Sequence, residues 1–125
     1  MKVPRSPEQR HEADARGREG EAEAAMFLAQ QGWQIVGERV KTKAGEIDLV
    51  ARRSGLVAFV EVKWRARAAA LADAIDERRL ARVAAAVEMV WHDYATQGED
   101  IRIDVILLAP GCKPTHIENA WMPFG

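Results

Sequence analysis

The sequence predicts an α/β fold, a mixed sheet of about five strands with helices on both sides. Three observations lead there. Short runs rich in β-branched residues follow one another across tight turns between Trp33 and Trp64. One of them, LVAFVEVKW (56–64), is apolar on both faces, so it belongs at the sheet centre with cover from each side. Segments of helical periodicity precede and follow this block and can supply that cover. At 125 residues and 48% hydrophobic content, the chain has the size of one domain and can bury a core without disulfides.

Residues 1–16 are charged, contain proline and lack periodicity; they read as a flexible tail, with residues 17–125 as a single domain. A first helix is expected from about Arg18, because Ala24, Ala25 and Leu28 recur at helical spacing with Phe27 beside them. Gly32 then supplies the helix stop. Glu21 lies on the same stripe as those apolar residues, which places a carboxylate on the inward face. WQIVGERV (33–40) is the first strand, KTKAGE a turn, IDLVARR (47–53) the second strand, SG a turn and LVAFVEVKW the third strand. RARAAALADA (65–74) reads as a loop or ragged helix start. Asp76 is then the N-cap of a long helix through about Thr96, ended by Gly98. Leu80, Val83, Ala84, Val87, Val90 or Trp91, and Tyr94 form its apolar stripe. IRIDVILLAP is a fourth strand and THIENAW a short fifth.

Bulk properties exclude some classes. The N-terminus has no apolar signal region, and no apolar run approaches the ~18–20 residues of a membrane span, so the cytoplasm is the expected location. The single Cys112 rules out an intramolecular disulfide. A net charge of −1 weighs against extensive non-specific coating of DNA but is compatible with a local basic groove.

Within the apolar strands stand Asp48, Glu61 and Lys63. Burying such charges is costly unless something pairs with them. Period-2 geometry puts Glu61 and Lys63 on the face of Val57 and Phe59, and hairpin closure brings the start of the second strand to the end of the third. Asp48 and Glu61 can therefore meet. Two adjacent carboxylates repel unless a divalent cation lies between them, and oxygen ligands favour Mg²⁺ or Mn²⁺. Such a cation suits phosphodiester hydrolysis, with Lys63 placed to steady a developing negative charge. Glu46, two residues before Asp48, is expected to be solvated near the turn.

The segments GREGEAEAAMFL, GEIDLVA, LVAFVEVKWR, RRLARVA and IRIDVILL together resemble the YraN family, an endonuclease-like branch of the PD-(D/E)XK nuclease superfamily related to archaeal Holliday-junction resolvases. The resemblance covers nearly everything from Gly17 to Trp121. It implies a restriction-endonuclease-like α/β/α core and a metal-dependent nuclease acting on DNA, on branched or repair intermediates. It also implies Asp48 and Glu61 as metal-binding acids, the Val62 carbonyl as a further ligand, Lys63 as the catalytic lysine and Glu21 at the edge of the site. A homodimer is implied by analogy with the resolvases. Arg79 stands where relatives commonly carry lysine or glutamine, and the loop after VKWR lacks their aromatic-glycine pair.

Among the basic residues, Arg78, Arg79 and Arg82 occupy the first turns of the long helix, where a dipole-complementing sequence would carry acids. They read as phosphate contacts, together with Arg65 and Lys43. Trp64 is placed either to stack on a base or to pack in the sheet. Cys112 and His116 make no zinc site by themselves, and Asp104 is expected to pair with Arg102. A catalytically silent nucleic-acid-binding module and an assembly domain without nucleic acid are the alternatives to a nuclease.

Overall fold

The computed structural model describes residues 7–67 and 75–121; for residues 7–16 it describes the helical backbone alone. In chain order the elements are α1 (Pro7–Gln30), β1 (Gln34–Lys41), β2 (Glu46–Arg53), β3 (Leu56–Trp64), α2 (Glu77–Tyr94), β4 (Asp100–Leu108) and β5 (Thr115–Ile117). The sheet runs β1-β2-β3-β4-β5, antiparallel throughout except for the parallel pair β3 and β4. That pair is joined through α2, as a parallel connection requires. The mixed five-stranded α/β architecture is the one expected from the sequence.

β3 is central, and its alternation sorts the two cores. Val57 and Phe59 are fully buried against Leu80, Val83 and Val87 of α2. Ala58 and Val60 are fully buried on the other face, against Ala24 and Leu28 of α1. Burying a side chain such as Phe59 or Leu28 contributes about 1.5–3 kcal/mol each, so the two helices dock for the same reason on opposite faces. Glu61 and Lys63 thus lie on the α2 face, as the period of two dictates.

The helix boundaries are set by identifiable groups. Asp76 has extended dihedrals and accepts hydrogen bonds from the amides of Arg78 (2.9 Å) and Arg79 (3.4 Å), which makes it the N-cap expected of it. On α2, Val90 and not Trp91 continues the buried stripe; Trp91 is exposed. α1 begins at Pro7 rather than near Arg18. Proline suits a first helical turn, and the Glu, Gln, Arg and Ala that follow are helix formers; their lack of apolar periodicity hid them. Residues 1–6 of the expected tail and residues 68–74 of the expected loop lie outside the described residues. No helix among the described residues is long and apolar enough to cross a membrane.

β1 bends at a register shift between Ile35 and Gly37, where the ring of Tyr94 packs so closely that a Cβ on Gly37 would meet it at 3.1 Å. The β1–β2 turn is closed by Thr42, whose hydroxyl accepts from the amides of Ala44 and Gly45 and donates to the Gly45 carbonyl. That closure delivers Glu46 and Asp48 to the start of β2.

Asp104 of β4 is fully buried. It pairs with Arg102 as expected, accepting from Nε (2.8 Å) and Nη2 (3.0 Å), and also meets His116 Nε2 (2.8 Å) and the Asn119 amide (2.9 Å). These bonds tie β4 to β5 and to the chain that follows. Burial alone would raise its pKa, but the bonds from His116, Arg102 and Asn119 outweigh it and hold the carboxyl below its usual range. A depressed native pKa stabilises the fold above the unfolded value of ~3.9, and this stability is lost as pH falls through the native value. Asp104→Ala should therefore cost about 3 kcal/mol in denaturant unfolding at pH 7, with the deficit shrinking below pH ~4. A loss under about 1 kcal/mol at pH 7 would contradict this account of the cluster.

Candidate metal centre

The paired backbones of β2 and β3 run from Arg53 and Leu56 to Leu49 and Val60, and there the ladder stops. The next residues across are Asp48 and Glu61. The Val62 amide, which would otherwise lack a partner on this edge, donates to Asp48 Oδ2 at 2.8 Å. A side chain takes over from the backbone, and β2 parts from β3. β3 keeps its course because β4 pairs with it as far as Trp64 and Leu108. The parting opens a cleft of about 420 Å³, lined by Glu21, Asp48, Glu61, Val62, Lys63, Trp64, Arg65 and Arg79, with Gly17 and Gly20 of α1 on its rim.

Glu61 is the most constrained group in the cleft. Its side chain is 1% exposed. Oε1 receives both Arg79 Nε at 3.0 Å and Lys63 Nζ at 3.4 Å. Oε2 is buried and has no hydrogen-bond partner among the described residues. A buried carboxylate oxygen left this way carries the full desolvation cost of an unpaired polar atom.

Asp48, also buried, has its carboxyl pushed up to about 7. Burial is the largest cause, the neighbouring Glu61 carboxylate the next, and Glu21 adds to it; the Val62 amide and the Arg79 guanidinium pull the other way. Asp48 thus feels the neighbouring Glu61 charge, as the strand geometry leads one to expect.

Glu21 reaches the site from α1, and its Oε2 accepts from Arg39 Nε at 2.7 Å. Glu21, Glu46 and Asp48 each bring one carboxylate oxygen to within 4.8 Å of the others, a grouping compatible with a cation. The acids share a pattern: one oxygen of Asp48, Glu21 and Glu61 is anchored by a donor, while no bond to Asp48 Oδ1, Glu21 Oε1 or Glu61 Oε2 is found among the described residues. This donor set is all hard oxygen, the ligand type that hard divalent cations take.

The predicted basic residues divide. Lys63, Arg65 and Arg79 line the cleft. Arg79 and Arg82 also line a neighbouring pocket of about 170 Å³ with Gly45 and Glu46. Arg78 and Lys43 are exposed and line neither. The amides of Arg78 and Arg79 are taken by the Asp76 cap, so any anion here is held by side chains rather than by the helix terminus. Trp64 packs against the α1-side core, one of the two placements expected of it, and also lines the cleft.

Glu46 is exposed at the start of β2, as expected near the turn, and also brings one carboxylate oxygen into the acidic group. One participant was not legible in the sequence. Arg39 anchors Glu21 from a left-handed backbone conformation (φ 48°), a geometry no sequence pattern announces for arginine.

The pattern of the family described as "Uncharacterised protein family UPF0102" matches residues 20–108, a span that contains Glu21, Glu46, Asp48, Glu61, Lys63 and Arg79. The chain is 64% identical to a UPF0102 protein of Erythrobacter litoralis, over 89% of this chain and 96% of that one. It is 56% identical to a UPF0102 protein of Sphingopyxis alaskensis, with the same coverage of both chains. The UPF0102 protein of Rhizorhabdus wittichii is 54% identical over 87% of this chain and 92% of its own.

The raised Asp48 has a measurable consequence. A carboxyl whose folded pKa lies near 7, above an unfolded value of ~3.9, contributes stability that is full below ~4 and lost as pH rises through 7. Without divalent cations, Asp48→Asn should gain in melting temperature over the parent as pH is raised from 5 to 7.5. A difference that stays constant across that range would contradict the burial and Glu61 repulsion assigned to Asp48.

Proposed function

The chain belongs to the YraN-like UPF0102 family, and from the geometry of its cleft we propose that it is a Mg²⁺- or Mn²⁺-dependent nuclease that hydrolyses DNA phosphodiester bonds, on branched or repair and recombination intermediates. The observation that carries this reading is Glu61 Oε2, a buried oxygen without a partner beside Asp48 in an open cleft. A buried carboxylate oxygen without a partner carries a desolvation cost that a bound cation would offset.

Asp48, Glu61 and the Val62 carbonyl would hold the cation, with Glu21 and Glu46 at its flank. When bound, such an ion polarises a phosphoryl oxygen and lowers the pKa of water. Lys63 projects from the same face as Glu61, with its ammonium 3.4 Å from that carboxylate, and would steady the negative charge that builds on the phosphorus centre. The carboxylate of Glu61 holds that ammonium in place. Arg65 and Arg79 on the cleft wall and Arg82 in the neighbouring pocket would present positive charge to the phosphates of the strand, with the exposed Arg78 and Lys43 as further contacts. Trp64 on the same wall offers a face for a base.

One observation favours a second reading. Glu21 is paired with Arg39, and Glu61 with Arg79 and Lys63, as they would be in an assembly domain that binds no metal. Each pair, however, occupies one oxygen only. The two readings separate on cleavage of linear, flapped and four-way-junction DNA in Mg²⁺ or Mn²⁺. The nuclease reading expects cleavage that Asp48→Ala abolishes and that Lys63→Ala lowers by about 10²–10³. No cleavage above the Asp48→Ala background on any of these substrates would overturn it.

A further inference from the structure

Arg79 occupies a position it cannot keep once a cation binds. Both Arg79 Nε and Lys63 Nζ converge on a single oxygen, Glu61 Oε1. Two positive groups on one carboxylate oxygen compensate a charge that is 1% exposed. A divalent cation held between Glu61 and Asp48 would add positive charge beside the two cations already on Glu61, and repulsion would weaken the hold of one of the present partners. Lys63 stands two residues away on the same strand and has little freedom to leave. Arg79 has that freedom. Its side chain is 43% exposed, so releasing it costs little desolvation.

A second place exists for it. Arg79 lines the cleft on one side and, on the other, the 170 Å³ pocket that it shares with Arg82 and Glu46. Arg82 follows Arg79 by three residues on α2, so the two guanidinium groups lie on one helical face. Freed from Glu61, Arg79 would join Arg82 in a paired guanidinium subsite for a phosphate next to the cleft.

We propose that Arg79 is an exchangeable counter-ion: it neutralises Glu61 until a divalent cation takes that carboxylate, and then turns with Arg82 to a phosphate of the nucleic-acid strand. This rests on the metal-centre reading above and adds an order of events to it. Cation binding comes first and raises affinity for the phosphate backbone by releasing a guanidinium.

The test uses the full chain, Mn²⁺ alone in calorimetry, and a labelled DNA duplex in fluorescence anisotropy, with the duplex checked for integrity afterwards. Arg79→Gln should bind Mn²⁺ about threefold more tightly or better, since a competing cation is gone. Its DNA affinity should fall relative to the parent in the presence of Mn²⁺, with a salt slope lower by about 1, and differ little without Mn²⁺. Arg79→Lys should restore both properties toward the parent, and Arg78→Gln should leave Mn²⁺ affinity unchanged. A structural role for Arg79 would instead weaken Mn²⁺ binding in Arg79→Gln, and a fixed phosphate contact would give equal DNA deficits with and without Mn²⁺; either outcome overturns the exchange. Asp48-dependent Mn²⁺ binding of equal strength in parent and Arg79→Gln overturns the exchange alone. No Mn²⁺ binding in either protein overturns the metal centre and the exchange with it.

Discussion

The parting of β2 from β3 at Asp48 is the constraint on which the site depends. A β-ladder left to run would have paired Asp48 with Glu61 through the backbone and closed the space between them. Instead the Asp48 carboxylate accepts the Val62 amide, which satisfies the donor while letting β2 diverge. The divergence is affordable because β3 is held from its other edge by β4 over its whole length. It is also held from both faces by the helices. A strongly supported central strand thus carries an unsupported end, and the polar side chains of the cleft collect there.

Charge follows from that geometry. The opening places Asp48, Glu61 and Glu21 in one cleft, and Glu46 brings a carboxylate oxygen within 4.8 Å of those of Glu21 and Asp48. Arg39, Arg79 and Lys63 relieve the repulsion from the rim. Their bonds use one oxygen of each acid they touch. Glu21, Asp48 and Glu61 are thus each held at one carboxylate oxygen, an arrangement compatible with a cation at the others. By contrast, the Arg102–Asp104–His116 cluster at the β4–β5 edge satisfies its acid from every side and serves the fold alone.

Much of this was legible in the sequence because it rests on short-range periodicity. The alternation in LVAFVEVKW placed Glu61 and Lys63 with Val57 and Phe59, and the structure keeps them there. Asp76, as a side-chain cap ahead of an apolar stripe, marked the start of α2 to the residue. The helical stripe of Ala24 and Leu28 put Glu21 on the inward face, and it reaches the cleft. Features that depend on long-range register stayed hidden. The left-handed conformation of Arg39, from which it anchors Glu21, is one, and nothing local to that arginine signals it. The first turns of α1 were missed for a different reason: their charged residues favour helix but carry no apolar period.

The central claim is that Asp48 and Glu61 are ligands and not merely a buried ion-pair cluster. Anomalous diffraction from crystals soaked in Mn²⁺ tests it most directly. The account expects a peak about 2 Å from Asp48 Oδ1 and Glu61 Oε2, with Arg79 turned away from Glu61. A cleft without a peak, in which Arg79 and Lys63 keep their hold on Glu61 at high Mn²⁺, would contradict it.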